Sequence, residues 1–137
     1  MSDTILRRLP LTSRQLTILI VNGAILWFLA ALVCRFAGTV GWFEGANRAI
    51  LYAAVIPGTL PFVFLLRRLA QLADHQVALG MVVATTTALI LDGLALAWYP
   101  QLYGAGAAQT AASGAVILWG AGIAIFLGCW FNRAPPQ

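Results

Sequence analysis

Residues 77–99 read VALGMVVATTTALILDGLALAWY, and this stretch decides how the chain folds. It runs for 23 residues with Asp92 as its only charge. A helix of about 20 apolar residues crosses the hydrocarbon core of a bilayer. The stretch lacks the period-two alternation of a lipid-facing barrel strand. It therefore predicts a membrane-spanning helix.

Three further apolar runs of similar length flank this stretch in the sequence. They are LTILIVNGAILWFLAALVCRF at 16–36, AILYAAVIPGTLPFVFLL at 49–66 and SGAVILWGAGIAIFLGCWF at 113–131. Each comes close to the length that one membrane crossing needs. Pro57 and Pro61 predict a kink in the second helix, because proline removes a backbone donor. The prediction is an all-α polytopic membrane protein, a single four-helix domain over residues 1–137.

The composition requires lipid as the surrounding solvent. Of the 137 residues 61% are hydrophobic and only 9% are charged, whereas soluble domains carry about 25% charged residues. The net charge of +4 comes from arginines that flank the apolar runs and form no basic patch. We therefore expect membrane lipids as partners and no nucleic acid.

The arginines also predict the orientation. If all four runs span, one side of the membrane receives six of the eight arginines: Arg7, Arg8, Arg14, Arg67, Arg68 and Arg133. Such an excess marks the cytoplasmic side. Both termini are thus expected in the cytoplasm, across the inner membrane of a bacterium. The outer interface would then carry these aromatic residues: Trp42, Phe43, Trp98, Tyr99 and Tyr103.

Small residues at four-residue spacing predict how the helices pack. The third run carries Gly80, Ala84 and Ala88, and the fourth carries Gly120, Ala124 and Gly128. Since lipid removes the hydrophobic drive between helices, small residues let the helix backbones approach closely. We expect these two stripes to face each other.

Asp92 is the most informative polar residue of the chain. A carboxylate at membrane depth costs on the order of 3 kcal/mol unless it is paired, protonated or hydrated. It is either the proton or cation site of a transporter or a satisfied structural anchor, and the second interpretation is preferred. The candidate partners are Arg35, Arg48, Trp119 and Tyr52.

Asn22 is the second polar residue inside a run, and it is expected to bond to threonines 85–87 of the third helix. His75 is the only histidine and lies outside the runs, so neither a pigment nor a haem is expected on it. Cys34 and Cys129 fall near opposite membrane faces, too far apart for a disulfide, and two cysteines do not make a zinc site. With no catalytic motif present, we expect no enzyme and no bound cofactor.

Several short segments resemble an uncharacterised family of small bacterial four-helix membrane proteins. These segments are LVCRFAG at 32–38, LILDGLAL at 89–96 with the following Trp98, Tyr99 and Pro100, and LWGAGI at 118–123. The resemblance implies the same fold, and it places the family's recurring polar residues at Arg35 and Asp92. It implies no activity.

Three functions remain open at the level of sequence. The preferred one is an accessory or structural subunit of a larger bacterial membrane complex, photosynthetic or respiratory, with other membrane subunits as partners. The alternative is a small proton- or cation-coupled transporter that uses Asp92. A membrane enzyme or pigment-binding protein that uses His75 is the third.

Overall fold

A computed structural model describes residues 10–135 and Gln137, and this part of the chain is helical with no strand. Its four long helices are α1 (Ser13–Thr39), α2 (Gly45–Leu69), α3 (Val77–Trp98) and α4 (Ala107–Phe131). Two short 3-10 helices, Asp74–Gln76 and Pro100–Tyr103, precede and follow α3. All four long helices have the length and apolar composition to cross a membrane. The predicted fold class is confirmed.

The helix ends are fixed by local chemistry. At the start of α1, Thr12 Oγ1 accepts the Gln15 backbone N–H at 3.1 Å, and the Gln15 side chain accepts the Thr12 N–H at 2.9 Å. This reciprocal capping box starts α1 three residues before the apolar run. Helix α4 begins six residues earlier than predicted, directly after Gly106 at φ +85°. The Ala-rich segment that follows has high helix propensity.

The prolines of α2 do not interrupt it, since the helix is continuous from Gly45 to Leu69 through Pro57 and Pro61. Lipid offers no hydrogen-bonding alternative, so the remaining backbone bonds favour an unbroken helix. Between the two prolines, the Thr59 hydroxyl bonds back to the Val55 carbonyl at 2.6 Å.

The helices form a bundle with unequal contacts. Helix α3 packs extensively against α1 on one side and α4 on the other, and α4 packs against α2. Helices α1 and α2 hardly touch, although they are consecutive in the chain. The bundle is therefore closed on three sides and open between α1 and α2.

The described chain ends meet at one end of the bundle, here called the proximal end (residues 10–12, 70–76 and 132–135). The Arg133 N–H donates to the Asp74 carbonyl at 2.9 Å, and Gln15 donates to the Gln71 carbonyl at 3.2 Å. An ion-pair cluster joins Asp74 to Arg67 and, at 3.6 Å, to Arg133. The opposite, distal end carries residues 40–44 and 99–106.

The small-residue stripes divide between neighbours instead of facing each other throughout. Gly128 does lie against Met81 of α3, where a Cβ atom would come within 2.7 Å. Gly80, however, packs against Leu72 of the connection between α2 and α3 and lies near Leu19 of α1, and Gly120 lies near Val55 of α2.

The reason is geometric: with 3.6 residues per turn, each four-residue step rotates by about 40° around the helix. A stripe of several turns therefore reaches two neighbouring helices. Helices α1 and α3 approach each other closely at Gly23 of α1 and Ala84 of α3. A Cβ atom on Gly23 would lie only 2.5 Å from the Ala84 carbonyl oxygen, so the contact requires glycine.

We expect Gly128→Leu to destabilise the bundle by about 1–3 kcal/mol, since a leucine would overpack the contact with Met81. Gly122→Leu is the matched control on the same helix, because a side chain there meets no atom within 4 Å. Thermal unfolding in mild detergent measures both variants. Equal melting temperatures for the two would contradict the packing of Gly128.

Candidate functional site

A cavity of about 400 Å³ lies where α1 and α2 fail to meet, and it is called here the α1–α2 cleft. All four helices contribute to its wall, and the wall is mainly apolar. Leu29 and Val33 of α1 and Phe62 of α2 line it and are themselves exposed. Because these residues lie on the exposed outer surface of the bundle, the cleft opens sideways between α1 and α2.

The cleft is elongated along α3. Its wall on this helix extends from Asp92 to Met81, eleven residues or about 16 Å of helix. This length is about half the thickness of a hydrocarbon core, which is the length of one lipid chain.

The polar groups of the site lie at the distal end of the cleft. Asp92 lines the cleft and is only 5% exposed. Its Oδ1 accepts the Tyr103 hydroxyl at 2.5 Å, and the Tyr103 oxygen accepts the Trp27 indole N–H at 3.1 Å. These three side chains come from α1, the Pro100–Tyr103 helix and α3, so the hydrogen bonds tie three elements together.

Tyr103 is completely buried, which corrects its assignment to the outer interface. The short helix after α3 turns the chain back onto the bundle and carries the phenol ring inward. Burial raises the pKa of the Tyr103 hydroxyl, and its hydrogen bond to Asp92 raises the pKa further. The hydroxyl therefore remains protonated at neutral pH and acts as the donor to the carboxylate.

Gln109 holds this returning segment in place. Its side-chain amide donates to the Tyr103 carbonyl at 3.0 Å and to the Arg35 carbonyl at 3.2 Å. Gly104, at φ +132°, passes directly beneath this amide, and an L side chain is strained at that angle and has no room there. Arg35 also donates to the Gln101 carbonyl at 3.0 Å. The end of α1 is thus bonded to the segment that presents Tyr103.

The predicted partners of Asp92 have other contacts. Trp119 donates to the Tyr52 carbonyl at 3.0 Å. Arg35 reaches the loop carbonyl described above, and the exposed Arg48 makes no ion pair within the described residues. The partner of Asp92 is Tyr103 instead, because the chain reverses after α3. The only sequence signal for this contact is the short separation of eleven residues.

Asn22 also differs from its prediction. Its amide donates at 2.8 Å to the Ile18 carbonyl, four residues earlier in the same helix, and not to a threonine of α3. A local carbonyl is always within reach of a helical side chain, so no partner helix is needed. Asn22 therefore does not anchor α1 to α3.

His75 lies in the Asp74–Gln76 helix at the proximal end, away from the cleft. Cys34 lines the cleft whereas Cys129 is exposed, and both are free thiols. Within residues 10–135, no three His, Cys, Asp or Glu side chains are grouped so that they could hold a metal ion. The residues that sequence reasoning missed are Tyr103, Trp27 and Gln109.

Comparison with protein-family models, curated proteins and solved structures gives no match. The resemblance to the uncharacterised bacterial family stays a prediction.

We expect Tyr103→Phe to lower the free energy of unfolding by about 1–3 kcal/mol, because it removes the donor of a buried carboxylate. Tyr99→Phe is the control, since Tyr99 is 63% exposed. Thermal unfolding in the same detergent compares them. A Tyr103→Phe variant as stable as the Tyr99→Phe variant would show that this hydrogen bond does not support the bundle.

Proposed function

We propose that this protein is a non-enzymatic, multi-pass membrane protein that binds one apolar, chain-like molecule in the α1–α2 cleft. The observation that carries the proposal is a long cavity that opens between two helices toward the lipid. Ligand sites in proteins have volumes of about 300–1,000 Å³ and mainly apolar walls with few polar groups. The cleft has this size and this character.

We further propose that it acts as an accessory subunit of a larger bacterial membrane complex. The connections between consecutive helices are short, with five residues between α1 and α2 and seven between α2 and α3. Contacts with other subunits would therefore run through the helix faces. A bound lipid-like molecule could fill the gap between α1 and α2 and give a neighbouring subunit a continuous apolar surface.

A small proton- or cation-coupled transporter is the second candidate, and the position of Asp92 on the cleft wall favours it. The aspartate has a neighbouring hydrogen-bond chain but lies at one end of an otherwise apolar cleft. Loss of proton-coupled flux in Asp92→Asn liposomes would favour this candidate over simple binding.

The binding proposal is tested by filling the cleft. Gly58 lines the cleft, and a side chain there meets no atom within 4 Å, so Gly58→Leu occupies the space without a clash. Native mass spectrometry from mild detergent should show one lipid-like molecule bound to the unmodified protein and none to Gly58→Leu.

Gly122→Leu is the matched control, because Gly122 is exposed and lies outside the cleft lining. This variant should keep the bound molecule. Equal occupancy in both leucine variants would contradict the proposal. The same spectra test the accessory role, because partner subunits should copurify with this protein in a fixed ratio. A monomer or homodimer without partner subunits would count against the accessory role.

The proximal end is proposed to face the cytoplasm of a bacterium, because Arg133 belongs to it and Arg14, Arg67 and Arg68 lie within three residues of it in the chain. In a chain without Cys34 and Cys129, we expect Ala105→Cys to react with a membrane-impermeant maleimide added to intact cells. Ala134→Cys should react only after lysis. Both alanines are exposed. The reverse labelling would overturn the orientation.

A further inference from the structure

The Asp92 carboxylate keeps free acceptor capacity. The Tyr103 hydroxyl donates to Oδ1, and the Trp27 indole that donates to the Tyr103 oxygen also lies beside the carboxylate. A carboxylate can accept about four hydrogen bonds, so further donors can be accommodated. Because Asp92 lines the cleft, a ligand in the cleft can reach the carboxylate. The polar end of the cleft is therefore an acceptor site.

The carboxylate also lacks a counter-charge. Asp92 is the only charged side chain among the described residues that line the cleft. The described ion pairs all involve Asp74 at the proximal end. A carboxylate at membrane depth costs on the order of 3 kcal/mol unless it is paired, protonated or hydrated, and neutral donors such as Tyr103 offset only part of this cost. A positive group in the cleft would complete the pairing.

Aromatic residues lie at the same end of the cleft. Trp27 and Phe43 line it, and Trp27 is joined through Tyr103 to Asp92. Aromatic rings attract ammonium groups through their negative faces. The carboxylate and the aromatic rings at the distal end of the cleft thus both favour an ammonium head group.

The position of Asp92 gives the direction of the attached chain. It lies six residues, or about 9 Å, inside the distal end of α3 at Trp98. The cleft then continues for about 16 Å toward the proximal end. Half of a hydrocarbon core is about 15 Å thick. The cleft therefore has the length of one lipid chain. It runs from about 9 Å to about 25 Å below the distal end of α3, which takes it past the middle of the hydrocarbon core.

We propose that the α1–α2 cleft binds a single-chain amphiphile with a cationic head, whose ammonium group pairs with Asp92 and whose chain lies along the cleft toward Met81. This inference rests on the proposed function and adds the chemical class of the ligand. The molecule enters sideways from the bilayer, between α1 and α2. Tyr103 holds the carboxylate in position for the head group.

The test compares probes that share a chain and differ in the head: dodecyltrimethylammonium, 1-dodecanol and dodecanoate. Binding to the unmodified protein in neutral detergent is measured by native mass spectrometry as a function of probe concentration. The ammonium probe should bind at least about tenfold more tightly than the alcohol, because only it can pair with the carboxylate. The dodecanoate should bind most weakly.

Asp92→Asn should reduce the affinity for the ammonium probe to that for the alcohol. Glu44→Gln is the matched control, since Glu44 is exposed and outside the cleft lining, and it should keep the preference. If the Asp92→Asn protein does not fold, the comparison of probes on the unmodified protein decides the question.

The outcomes separate this inference from the proposed function. Equal binding of the ammonium and alcohol probes, with both lost in Gly58→Leu, would overturn the cationic head and leave the apolar site intact. If none of the three probes binds in the cleft or displaces a molecule already bound there, both the apolar binding site and the cationic head group are overturned. A preference for ammonium that survives Asp92→Asn would remove the aspartate from the site.

Discussion

A single carboxylate inside an apolar bundle governs the distal half of this protein. Asp92 cannot be left without a hydrogen-bond donor at membrane depth, and the donor is Tyr103, brought in by the segment that follows α3. This contact explains why the segment folds back instead of lying on the surface. Gln109 and Arg35 then bond the returning segment to the end of α1.

The cleft results from unequal packing between the helices. Helix α3 lies between α1 and α4 through close backbone contacts at Gly23 and Gly128. Helix α2 buries only Val63 and Leu66, both near its proximal end. Packing by small residues draws three helices together, whereas α2 has few such contacts with α1. A gap remains on the side where α2 would have closed the bundle.

The apolar cleft and the Asp92 carboxylate lie at the same place in the bundle, and their combination gives the site selectivity for a class of ligand. An apolar gap alone would accept any hydrocarbon chain, and a satisfied aspartate alone would be an anchor. Here the aspartate forms part of the wall of the gap, and its carboxylate keeps acceptor capacity beyond the hydrogen bond from Tyr103. Structural anchoring by Tyr103 and recognition of a positive group are thus compatible roles of the same carboxylate.

The sequence by itself determined the four membrane helices and the importance of Asp92, because length, hydropathy and a charge at membrane depth are local properties that need no knowledge of neighbours. Only the tertiary structure decided which residue donates to Asp92, which helices the small residues bring together, and where the cleft opens. Tyr103 lies outside every apolar run, so its inward position depends on the chain reversal after α3. The small-residue stripes wind around their helices, so the residues that they contact depend on the positions of all four helices. The physical reason is that the lipid surrounding the protein determines which segments become membrane-spanning helices, whereas the contacts between side chains depend on the geometry of the whole bundle.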